Sequence, residues 1–219
     1  LSDLRRRSSA KWQTYPDDVL PMFIAEMDFS LAPPVIDAIV AQARSSDIGY
    51  AADAGRVGEV FSTFARRRWG WEFDADDVRL TTDVSVAIVE TLRVAIEPGD
   101  GVIINPPIYP PFFELVPEAG GRVVEVPLLD DGAYRLDLGG IESALADGAK
   151  AVLLCSPHNP VGLCHPREDL ARLADLALRY GATVVSDEIH APLVHHTADF
   201  IPFLAVGDAA RRVGVALHS

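Results

Sequence analysis

The sequence predicts an α/β fold, a mostly parallel sheet with helices on both faces. Three observations predict it. From Val78 onward, short β-branched runs alternate with amphipathic runs, the βαβα order that builds a parallel sheet. Most of the short runs are near-continuously apolar, as strands buried on both faces are. Each run then gives way to a polar or turn-rich segment. In open parallel sheets, ligands bind beyond the carboxyl ends of the strands.

The predicted strands are Val78–Thr82, Gly101–Asn105, Arg122–Pro127, Ala151–Cys155, Ala182–Asp187 and Arg212–His218. The predicted helices lie between and before them. Val84–Ile96 has apolar residues at helical spacing and stops at Pro98-Gly99. Pro166–Tyr180 opens on proline, repeats Leu170, Leu173, Ala174, Ala177 and Leu178, and ends at Gly181. That is the asymmetry of proline at the start and glycine past the end. Further helices are predicted at Pro34–Arg44, Val57–Arg68, Pro111–Glu118 and Leu138–Ala146. The N-terminal stretch reads differently, as a proline-rich, tryptophan-containing arm that packs outside the main sheet. Residues 1–50 are expected to form this arm and part of a small domain, and residues 51–219 a larger domain.

The 219 residues are 49% hydrophobic and 23% charged, ordinary globular composition with enough apolar material for a sizeable core. The formal net charge of −13 disfavours nucleic acid and anionic membrane surfaces as partners. No uncharged apolar run approaches the ~20 residues of a membrane span. The most apolar stretch, Val84–Ile96, is broken by Glu90 and Arg93. Arg5, Arg6 and Arg7 form a compact basic run near the start of the sequence, and polar residues follow it rather than a signal-peptide core. Cys155 and Cys164 make neither a CxxC pair nor a disulfide framework. The chain reads as soluble and cytoplasmic. His190, His195 and His196 lack an acidic or cysteine partner at metal spacing, so no metal site is expected.

The segments after the strands hold the candidate functional residues. Asp187 follows Thr183-Val184-Val185-Ser186, so its carboxylate is expected at a buried strand's end. A buried carboxylate needs a partner, or it costs several kcal/mol, on the order of a lost ion pair. From the residues alone, Asp187 could equally be a turn aspartate, and Asn159 a turn asparagine before Pro160. Thr82 to Ser85 would open the helix Val84–Ile96, whose first N–H groups suit a phosphate. Asp83 could be an N-cap there.

Two segments carry a resemblance: Ser156-Pro157-His158-Asn159-Pro160-Val161-Gly162, then Ser186-Asp187-Glu188-Ile189-His190. Together they resemble fold-type I pyridoxal-phosphate (PLP) enzymes of the class I/II aminotransferase superfamily, within it the cystathionine β-lyase and C–S lyase branch. Met27-Asp28-Phe29, Gly49-Tyr50, Pro98-Gly99-Asp100 and Pro106 through Phe112 match in the same order. The resemblance implies an aminotransferase-like large domain, PLP as cofactor, and a small sulfur-containing amino acid as substrate. It implies that Asp187 pairs with the pyridinium N–H, which keeps the ring an electron sink. It places Asn159 on the cofactor's phenolic oxygen and Tyr109, among four prolines, on its ring face. His190 stands where aminotransferases carry a tyrosine. The backbone of Val84 and Ser85 would meet the phosphate, although the family has glycine where this chain has Asp83. Tyr50 would reach the phosphate of a neighbouring subunit, making a homodimer with a shared site.

The resemblance also requires a Schiff-base lysine a few residues after the strand matching Val213–His218. Lys11 and Lys150 do not fit, and Ser219 stands where that motif begins. The chain is therefore expected to be truncated before the lysine and a C-terminal domain, with Ser219 at the cofactor's edge. The implied reaction is β-elimination from cystathionine or a related cysteine S-conjugate, giving a thiol, pyruvate and ammonia. An aminotransferase with the same cradle, and a non-catalytic regulator that keeps the fold, are the competing readings.

Overall fold

The computed structural model describes residues 1–50 and 54–219. Two compact units divide the chain, residues 1–52 and 53–219. The boundary expected at residue 51 falls on 51–53, outside the described residues.

The first unit holds a 3₁₀ turn (Leu4–Arg6), α1 (Ala10–Gln13) and α2 (Pro33–Arg44). Its arm folds back on the Met27-Asp28-Phe29 segment. Arg7 donates to the carbonyls of Met27 and Phe29 at 2.9 and 3.2 Å. Lys11 Nζ, buried, pairs with Asp28 Oδ2 at 2.8 Å, and Trp12 Nε1 donates to Asp28 Oδ1 at 3.0 Å. The hydrogen bond from Lys11 holds the Asp28 carboxyl below its usual range.

The second unit runs α3 (Gly55–Trp69), α4 (Val84–Ala95), β1 (Gly101–Ile104), α5 (Phe112–Glu118), β2 (Arg122–Glu125), β3 (Leu129–Asp130), β4 (Tyr134–Arg135), α6 (Leu138–Ala146), β5 (Ala151–Cys155), α7 (Arg167–Tyr180), β6 (Thr183–Asp187), α8 (Asp208–Val213) and β7 (Gly214–Leu217). Short 3₁₀ turns lie at Ala75–Asp77, Ala191–Leu193 and Phe203–Ala205. Five strands form one sheet in the order β2-β1-β5-β6-β7, all neighbours parallel. The α/β fold expected from the sequence is the fold observed.

Strand side chains alternate between two cores, which is why the strands are apolar throughout. Ile103, Val152, Leu154 and Val184 face α6, α7 and α8 through Leu138, Ile141, Leu170, Leu173 and Ala210. Val102, Ile104, Leu153 and Val185 face α4 and α5 through Ile88, Leu92, Phe112 and Val116. Each such side chain contributes about 1.5–3 kcal/mol by leaving water. Helix α7 stops at Gly181, whose left-handed φ of 64° accepts the last turn's geometry.

Two expectations are corrected, and one feature is new. Val78–Thr82 forms no strand. It pairs with nothing among the described residues, and Leu80 lies exposed. Its β-branched residues supply propensity, but a strand also needs a neighbour to pair with. The strand expected at Arg212–His218 shortens to Gly214–Leu217, because Asp208–Val213 closes a short helix first. The β3/β4 hairpin was not anticipated, although Asp131-Gly132 supplies the turn, with Gly132 at φ 108°.

Candidate active site

The strand order reverses between β1 and β5. From β1 the chain steps outward to β2, then crosses back to β5 and continues through β6 to β7. A reversal of this kind opens a crevice beyond the carboxyl ends of the two strands involved. The segments at that crevice are Asn105–Pro111 after β1 and Ser156–His165 after β5, with Asp187 beside them at the end of β6. Cys155 is in register with Asp187, and Asp187 with Leu217, so these ends share one edge. Helix α4 reaches the same edge with its N-terminus. It packs on the sheet, and a short connection leads from its other end into the start of β1.

Asp187 is 6% exposed. Its Oδ1 accepts the Ile189 N–H at 3.1 Å, and among the described residues it makes no ion pair. Burial pushes its carboxyl up from the usual carboxylate range, outweighing the Ile189 hydrogen bond. A cationic N–H donor at this position would reverse that penalty. The pyridinium of PLP is such a donor, so this residue fits the group.

The other predicted residues fall as follows. Asn159 sits in the turn after β5, its backbone N–H on Cys155 Sγ at 3.3 Å. Tyr109 sits in the turn after β1, its ring edge-on to Phe112 and 39% exposed, leaving a face available for stacking. The peptide bonds Pro106–Pro107, Ser156–Pro157 and Asn159–Pro160 in these turns are cis. Val84 and Ser85 open α4. Asp83 caps that helix, its Oδ1 accepting the Val86 N–H at 2.9 Å. The N-cap reading of Asp83 therefore holds, and Val84 and Ser85 keep N–H groups without a partner within the helix. His190 is half-buried three residues beyond Asp187, and Ser219 follows the end of β7. Tyr50 belongs to the first unit, its side chain fully exposed. Lys150 lies before β5, at the opposite end of that strand, and Lys11 is engaged by Asp28.

Glu188 was missed. Its side chain is wholly buried, and Oε1 accepts from Ser186 Oγ at 2.9 Å and from the Phe203 N–H at 2.8 Å. Oε2 lies 3.1 Å from His218 Nε2, close enough for an ion pair but off the line of a hydrogen bond. His218 in turn packs on Phe61, Trp69 and Trp71. The signal was present: a carboxylate two residues after Ser186 in a buried run points to the same face and must find donors there. Trp69 and Trp71 are packing residues, as expected. No group of three or more His, Cys, Asp and Glu among the described residues is arranged to hold a metal ion.

A doubly wound sheet with a buried carboxylate beside its switch point defines the class: an α/β domain with a crevice at the strand ends. The family model "Aminotransferase class I and II" matches residues 57–217. The chain belongs to that family. A provisionally named cystathionine beta-lyase of Mycobacterium leprae is 43% identical over 218 residues, 95% of this chain and 54% of the relative. The cystathionine beta-lyase of Corynebacterium glutamicum is 37% identical over 199 residues, 89% of this chain and 52% of the relative. The crystal structure of cystalysin from Treponema denticola, which contains a pyridoxal 5'-phosphate cofactor, superposes with a TM-score of 0.90 at 27% identity. That match covers 98% of this chain and 57% of cystalysin. The chain thus spans about half the length of the relatives it matches.

Proposed function

We propose that this chain forms the cofactor cradle of a PLP-dependent C–S β-lyase. Its substrate would be cystathionine or a related cysteine S-conjugate, and its products a thiol, pyruvate and ammonia. One observation supports this above the others: Asp187, buried at the strand ends with a raised carboxyl and no ion pair among the described residues. When bound, PLP supplies an electron-withdrawing ring that stabilises the charge left at the substrate Cα when its proton departs.

The chain's own residues have distinct tasks in this reading. Asp187 accepts the ring N–H and keeps that proton in place, inside a dry edge where the pairing is strong. Asn159 donates to the phenolic oxygen. Tyr109 covers one ring face and excludes water from it. Val84 and Ser85 offer backbone N–H groups to the phosphate, while Asp83 directs its carboxylate to its own helix at Val86. His190 stands near the phenolic side, Ser219 at the end of β7, and Tyr50 serves the site of a second subunit in a homodimer. Lys150 lies at the opposite end of β5 from these residues, and Lys11 is paired with Asp28.

The test is cystathionine turnover by the complete gene product loaded with PLP. Pyruvate released without a keto-acid acceptor is the expected result. Product that appears only with an acceptor makes the protein an aminotransferase. A protein that binds PLP but turns over neither way is a non-catalytic binder, and the lyase reading fails.

A further inference from the structure

The turn Asn105–Pro111 contains Pro106, Pro107, Pro110 and Pro111, and the loop after β5 contains Pro157 and Pro160. Proline has no backbone N–H. Each segment thus has fewer backbone donors to offer the other, no backbone hydrogen bond joins them among the described residues, and a side-chain donor does so instead. His158 is that donor. Its ring is 1% exposed, and Nε2 lies 3.0 Å from the Pro107 carbonyl, fifty-one residues away in sequence. A carbonyl only accepts, so Nε2 carries the proton and the ring donates. This hydrogen bond joins the two segments, and the Asn105 backbone of the same turn also engages the ring.

The backbone of His158 anchors the other side. Its N–H donates to the Leu163 carbonyl at 2.8 Å, and its own carbonyl accepts the Gly162 N–H at 2.7 Å. These bonds close the small loop on which Asn159 sits. His165 packs edge-on against the His158 ring at 5.6 Å and donates from Nε2 to the Cys155 carbonyl at 3.0 Å. The ring of His158 leaves Nδ1 buried without a partner. A residue needed only to fill space would be apolar and leave no such atom behind. The Nε2–H bond is what the histidine adds.

We propose that His158 is a positioning residue that clamps the Asn159 loop to the Tyr109 turn, holding as a pair the two side chains assigned to the cofactor. The pairing with PLP rests on the function proposed above; the clamp itself rests on the hydrogen bonds.

Three measurements test it. In the wild-type protein, ¹⁵N NMR of His158 is expected to show the Nε2–H tautomer; the Nδ1–H tautomer overturns the clamp. Amide exchange at Phe112 and Phe113, which donate to Tyr109 and Pro110, reads the turn directly and needs no cofactor. His158→Leu should speed that exchange about tenfold, and His158→Gln, which keeps a donor, should stay within about threefold of wild type. Unchanged exchange in His158→Leu, or equal loss in both variants, refutes it. PLP titration of the same proteins should show about tenfold weaker binding in His158→Leu and near-normal binding in His158→Gln. Equal affinity in all three removes the cofactor role. A wild type that binds no PLP instead refutes the proposed function, and the clamp then stands or falls on exchange alone.

Discussion

Acid should weaken this fold through His165, and the size of the effect follows from where that ring sits. His165 is 2% exposed and donates from Nε2 to the Cys155 carbonyl. Its Nδ1 is buried with no partner, so a second proton would enter an apolar site. Burial holds the imidazole at about 4, against an ordinary value near 6.5. Between those values the unfolded chain binds a proton that the folded chain refuses. Stability is therefore full above about pH 6.5 and falls as pH drops, levelling off below about 4. At about 1.4 kcal/mol per pH unit, the loss amounts to roughly 3 kcal/mol. His158 is shifted the same way by burial and adds to the effect. Asp187, raised by burial, works in the opposite sense, holding a proton the unfolded chain has released. The assay is urea denaturation at a series of pH values from 7.5 to 4.5, comparing wild type with His165→Gln. The glutamine keeps an N–H donor but does not titrate. The difference between the two profiles should grow by roughly 2–3 kcal/mol across that range. Two parallel profiles would show that His165 protonates freely in the folded state, and the burial argument would fail.

Two further outcomes follow from the same geometry. Glu188→Leu leaves the Phe203 N–H and the Ser186 hydroxyl buried without an acceptor and should cost on the order of 3 kcal/mol by denaturant titration. Glu188→Gln, which keeps one acceptor oxygen, should cost distinctly less; equal losses would show that the carboxylate's hydrogen bonds carry no weight. Asp83→Asn keeps the N-cap acceptor and removes the charge, so stability should change little while PLP binds more tightly. Asp83→Ala should lose about 1 kcal/mol of stability. An unchanged PLP affinity in Asp83→Asn would show that the phosphate does not sit at the start of α4.

The sheet was legible because its strands are buried on both faces. The runs at Gly101, Ala151 and Ala182 are so apolar that only a parallel, doubly covered strand accommodates them. Helix α7 was legible to its end because Gly181 marks the stop. Asp187 could be placed because the sequence sets it directly after such a strand. Tertiary pairing was not legible. Val78–Thr82 has strand-like residues but no neighbour, and nothing local reveals that. The hairpin at Asp131-Gly132 was signalled in the sequence, but its strands are too short to show alternation. The burial of Glu188 was signalled by its place after Ser186, but its Phe203 partner was not. His158 looks like a polar residue in a turn, and only the fold brings Pro107 to it from far along the chain.

The protonation state of the bound ring tests the account most directly. The complete gene product is loaded with PLP labelled with ¹⁵N in its ring, and the ring nitrogen is observed by NMR in wild type and in Asp187→Ala. A protonated ring nitrogen in wild type at neutral pH, lost in the variant, is the predicted result. An unprotonated ring nitrogen in wild type, or the same protonated signal in both proteins, would contradict the role given to Asp187.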